Sequence, residues 1–174
     1  MKKYIALMLA LVLAVSMAAC GKGAADKTPL AGTMDENAAK IMEIAPVEFM
    51  AGPMPVDLTD TSEDGKWALS YFTGLQSADS VTDVAVYEPM MGSQAFSLVL
   101  VRTAEGADPK AVAQEMKDNI DPRKWICVGA DEIIAAGYSD TVMLIMVDSQ
   151  MGISAQSYVD AFAQVAGGEL DFTI

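Results

Sequence analysis

The stretch Asp60-Thr61-Ser62-Glu63-Asp64-Gly65 sets oxygen-bearing side chains at alternate positions ahead of a glycine, the opening half of a calcium loop. Such a loop closes with a bidentate glutamate at its twelfth position, which here is Tyr71. A polar cap before a helix accounts for the same residues, so no metal is expected. Nucleophilic hydrolysis needs a base beside Ser or Cys, yet the chain has no histidine and no Ser-x-x-Lys. Zinc would lack imidazoles and a thiol pair. With 24 acidic residues, some carboxylate pair falls at glycosidase spacing by chance, so such a pair carries no information. Met143-x-x-Met146 offers thioethers suited to Cu(I), but on a strand the two side chains point to opposite faces. No catalytic residue, metal site or cofactor is expected, and the chain reads as a non-enzyme.

The two cysteines stand in different settings. Cys20 follows a cationic start (Lys2, Lys3), an apolar run from Ile5 to Val15 and the small residues Ala18 and Ala19. That run is too short to span a bilayer comfortably. The pattern resembles a bacterial lipoprotein signal, which implies cleavage before Cys20 and a diacylglyceryl anchor on its thiol, with Met17 where leucine is commoner. An ordinary secretory signal with an incidental cysteine is the alternative. Cys127 would then stand alone, without an intrachain disulfide. Its setting, Trp125-Ile126-Cys127-Val128, predicts a buried structural thiol.

Removing residues 1–19 leaves 155, enough for one domain with a core of its own. Nine basic and 24 acidic residues remain, a formal net charge of −15. That balance excludes nucleic acid as a partner. It also repels the domain from an anionic lipid surface within about 8 Å.

The expected organisation is a signal over 1–19, a lipidated cysteine and flexible tether over 20–33, and a single α+β domain over 34–174. Thr33 and Glu36 form a capping box for a helix carrying Ala38, Ile41 and Met42, ended by Pro46. The proline-rich segment 46–59 predicts an irregular crossover; its apolar residues from Val47 to Met54 suit either packing across the sheet or a partner-binding strip. A second helix is expected from Asp60 to Gly74. Period-two alternation then predicts a strand to Pro89, and Ala95 to Arg102 reads as a strand buried on both faces. Asp108-Pro109 starts a helix. Glu132–Tyr138 and Thr141–Asp148 repeat the strand pair, and Ser154 caps the last helix. Leu98 and Leu144, like the caps Asp108 and Ser154, are 46 positions apart. The pattern predicts N-terminal helices followed by two strand–strand–helix units. They would share one mainly antiparallel sheet, with both unit helices on one face.

Tyr87-Glu88-Pro89-Met90-Met91, leading into Phe96-Ser97-Leu98-Val99-Leu100-Val101 behind a lipobox and tether, resembles a family of clostridial and related Gram-positive lipoproteins that share a domain of unknown function. The resemblance covers about Ala51 to Ala166. It implies an envelope location and a small fold mixing helix and sheet, and it supplies no active-site residue. The expectation is a membrane-anchored extracytoplasmic lipoprotein, on the outer face of a Gram-positive cell membrane. It would act as a binding or accessory module whose partner is another envelope protein or a wall component. The alternative is a small-ligand or cation sensor associated with a transporter.

Overall fold

The computed structural model describes residues 27–174. The expected signal, the expected lipidation site Cys20 and the first part of the expected tether lie outside the described residues.

Thr33 and Glu36 fix the first turn of α1 (Met34–Ile44) from both sides: Glu36 N–H donates to Thr33 Oγ1 at 3.2 Å, and Thr33 N–H donates to Glu36 Oε2 at 3.1 Å. The helix stops at Ala45, ahead of Pro46. Then follow β1 (Ala51–Pro53), α2 (Glu63–Thr73), β2 (Val81–Pro89), β3 (Phe96–Thr103), α3 (Pro109–Asn119), β4 (Glu132–Tyr138) and β5 (Thr141–Val147). A short 3₁₀ turn (Ser149–Met151), α4 (Ala155–Ala166) and β6 (Phe172–Thr173) complete the chain.

The six strands form one antiparallel sheet in the order β1-β2-β3-β5-β4-β6. The fold is therefore α+β, with helices packed on the sheet. β1 falls inside the segment expected to be irregular. It is a three-residue edge strand, and Pro53 sits there without harm because an edge position needs no outward N–H.

β3 and β5 form the centre and are apolar on both sides. Leu98, Leu100, Met143 and Ile145 face α1 and α4, meeting Met34, Ile41, Tyr158 and Phe162. Val99, Val101, Leu144 and Met146 face α2 and α3, meeting Leu69, Val112 and Met116. The expected placement of both unit helices on one face is thus corrected: α3 covers one face and α4 the other. Two apolar faces each need cover, and each unit helix is joined on its face by one N-terminal helix.

The same arrangement decides whether the two units are copies. β3 and β5 lie side by side and run oppositely, and their helices sit on opposite faces. The two strand–strand–helix units are consequently of opposite hand, and no rotation superposes them. Leu98 and Leu144, 46 apart, point to opposite faces. The shared spacing reflects similar strand and loop lengths and not a duplicated fold.

The folded part begins earlier than position 34. Arg102 donates to Leu30 O and Gly32 O, both at 2.9 Å, and pairs with Asp140 at 3.0 Å. Leu30 is buried, and Lys27 pairs with Asp171 at 2.7 Å. A planar guanidinium with a fork of donors can hold two carbonyls and a carboxylate together, so residues 27–33 dock where a tether was expected. Lys27 thus lies at the end of the sheet that carries the β4–β5 turn, termed here the proximal end. The β2–β3 loop and the segment before β4 lie at the distal end.

Candidate functional site

Pro89 ends β2 at the distal end, and Met90 N–H donates to Met50 O at 2.9 Å, carrying the ladder one pair past β1. Ile126 N–H donates to Gly92 O at 3.0 Å and brings a second loop alongside. These two bonds gather Met50, Met90, Met91 and Ile126 at one place, with 78 %, 59 %, 67 % and 75 % of their surfaces exposed. Large apolar side chains with that much exposure, on neighbouring backbone, make this end the candidate contact surface.

The loop bearing Ile126 is held from beneath by a buried ion pair. Lys124 Nζ lies 2.5 Å from Glu88 Oε1, with only 1 % and 8 % of the two side chains exposed. The same oxygen accepts from Ser97 Oγ at 2.8 Å. Lys124 Nζ also donates to Tyr71 O at 3.2 Å, and Tyr71 Oη donates to Lys124 O at 3.0 Å. The rings of Tyr71, Phe72 and Trp125 lie 5.1, 5.6 and 5.4 Å from the ammonium. Burial pulls the Lys124 ammonium below its ordinary value, and the Glu88 carboxylate opposes that shift. Tyr71 is pushed up, by burial first and by Glu88 second. Ser97 has no exposed surface, so its hydroxyl is occupied by Glu88 and turned away from solvent.

Trp67 extends the aromatic group outward. Its ring stacks on Tyr71 at 4.7 Å, one helical turn along α2, and it remains exposed.

The residues singled out by sequence are dispersed. In the candidate calcium loop, Asp60 accepts from Ser62 N–H, and Ser62 Oγ in turn caps α2 through Gly65 N–H. Hydrogen bonds from Ser62 hold the Asp60 carboxyl below its usual range. Met143 and Met146 face opposite sides of the sheet, each fully buried. In the proline-rich segment Val47, Phe49 and Ala51 pack inward on one face and Met54 on the other, while Met50 projects outward. Cys20 lies outside the described residues. Cys127 is corrected: the run expected to be buried is a loop closed by Ala130 N–H to Pro122 O, and the thiol is exposed. Cys127 takes a left-handed φ of 63°, and in this loop Trp125 is buried while Ile126 and Cys127 are exposed.

Three elements were missed in the sequence: the Glu88–Lys124 pair, the buried Ser97 and the outward Ile126. Glu88 and Lys124 share no element, and only the register of β2 against the loop unites them.

Among the described residues, no helix is long and apolar enough to cross a membrane, and no three Cys, Asp or Glu side chains converge as a metal site. The comparisons with known proteins add no relative: no family model, curated protein or solved structure matches the chain.

Proposed function

We propose that this chain is a lipid-anchored extracytoplasmic binding module, a non-catalytic accessory protein of the bacterial envelope that is attached through Cys20. The observation that carries the reading is an opposition of ends. Lys27, seven positions after Cys20, docks at the proximal end, whereas the exposed Met50, Met90, Met91 and Ile126 occupy the distal end. An anchor at one end and a contact surface at the other suit a protein that presents a face away from its attachment. The lipobox and the resemblance to clostridial lipoproteins agree with that role.

The test is fractionation of cells expressing the chain and its Cys20→Ser variant, with mass spectrometry of the N-terminal peptide. The wild type carries an acyl mass on Cys20 and sediments with membranes, and the variant does not. Membrane retention of the variant, or a wild-type peptide without lipid, removes the reading.

A further inference from the structure

We propose that the distal end is the docking surface for a segment of another envelope protein, one that presents apolar side chains flanked by lysine or arginine. The proposal rests on the anchoring read above and names the partner's chemistry. Met50, Met90, Met91 and Ile126 supply the apolar floor. Three of the four are methionines, unbranched and polarizable, which adapt to the relief of a partner more readily than branched side chains do. The floor is preformed, because the Lys124–Glu88 pair and the Ile126–Gly92 hydrogen bond fix both loops before any partner arrives.

Charge limits the kind of occupant. The acids of the distal end would be pressed against the phosphates of an anionic bilayer, which repels them within about 8 Å. Two copies meeting distal end to distal end would set like charge against like. A separate protein with a basic flank meets neither obstacle.

Charge selects the partner's sign. Glu48, Asp121, Asp131, Glu132 and Asp148 are among the acids of this end, against the exposed Arg123. The ammonium of Lys124 is buried and neutralised by Glu88. The rim is therefore anionic, and a basic flank on the partner is attracted at the approach and sets its orientation.

The test uses residues 20–174 with Cys20→Ser, which contain every contact described above, with methionine methyl groups labelled for NMR. The probes are a 15-residue amphipathic Leu/Lys peptide, its Leu/Glu counterpart, and phosphatidylglycerol vesicles. The expected result is saturable movement of the Met50, Met90 and Met91 methyl signals with the Leu/Lys peptide, while the buried Met116 and Met143 signals stay. The Leu/Glu peptide should need at least a tenfold higher concentration. Met90→Gln/Met91→Gln should abolish the movement of Met50 with the core signals unchanged. Equal response to both peptides, or no response to Leu/Lys, overturns the proposal. So does movement of the same signals by vesicles, which makes the face a lipid contact, or by dilution alone, which makes it a contact between copies. None of these readings depends on lipidation, so failure of the anchor in fractionation is separable from failure of the docking surface.

Discussion

Lys124 and Glu88 meet at 2.5 Å in a nearly dry setting, and the loop that carries Ile126 is tied to β2 through them. A buried pair adds little net stability over apolar residues of equal volume, because desolvation cancels most of the attraction. Removing one partner is different, since it strands the other charge. Lys124→Met should cost about 3–5 kcal/mol, and Lys124→Met/Glu88→Met should recover most of that loss. Urea midpoints of the two variants decide the matter: a single variant as stable as the wild type shows that the pair is not closed in solution.

Gly74 ends α2 at φ 79°, and a Cβ there would lie 2.3 Å from Met116 O on α3. A left-handed backbone and a blocked direction act together. Gly74→Ala should destabilise by about 1–3 kcal/mol, beyond the few tenths usual for surface changes. Gly152, also left-handed but with open space around it, is the control: Gly152→Ala should cost no more than about 1 kcal/mol. Equal losses at the two sites in thermal unfolding would remove the steric part of the argument.

Arg102 holds residues 27–33 through the carbonyls of Leu30 and Gly32. Arg102→Ala should release that segment while the sheet persists, because β3 and β5 keep their ladder. Trypsin cutting after Lys27 should become at least tenfold faster, with circular dichroism unchanged. An unchanged rate would mean that the buried Leu30 and the Lys27–Asp171 pair dock the segment without Arg102.

Cys127 is exposed in the folded protein, so a thiol reagent should modify it within minutes without denaturant in the Cys20→Ser chain. Cys127→Ser should change stability by less than about 0.5 kcal/mol. Slow labelling that needs urea would return the thiol to the interior.

The misreading of Cys127 shows where local pattern fails. Trp125-Ile126-Cys127-Val128 has the composition of a strand, but Pro122 and the left-handed turn at Cys127 make it a loop, and no periodicity rule detects a single positive φ. By contrast the capping box of Thr33 and Glu36, the N-cap Asp108 and the doubly apolar β3 and β5 were legible, because each depends on neighbours within a few residues. The face that each helix covers was not legible. It depends on pairing β3 with β5 across a separation of more than forty residues, and apolarity on both faces says only that each needs cover. The distal surface was legible only in part: the proline-rich segment holding Met50 suited a partner-binding strip, but no local signal marked Met90 and Met91 as exposed rather than core-filling. Their union with Ile126 requires the hydrogen bond to Gly92.

Tyr158 gives the fold a pH limit on the alkaline side. Its hydroxyl is buried without a hydrogen-bond partner, and burial pushes its ionisation from the usual 10.0 up to about 12. The folded state therefore keeps its proton while the unfolded state begins to lose it near pH 10, so stability falls as pH rises from 10 to 12. A shift of two units corresponds to about 2–3 kcal/mol. Tyr71, also raised, acts in the same direction. Lys124 acts oppositely: its folded value lies below 10.5, so between that value and 10.5 the unfolded state holds more protons and stability rises with pH. Tyr158→Phe separates the two. It should be more stable than the wild type by about 1 kcal/mol at neutral pH, because a desolvated, unpaired hydroxyl is gone. Its alkaline fall should also be shallower than that of the wild type. Urea unfolding at pH 7 and pH 11 measures both, and a variant less stable at pH 7 would show that the hydroxyl has a partner in solution.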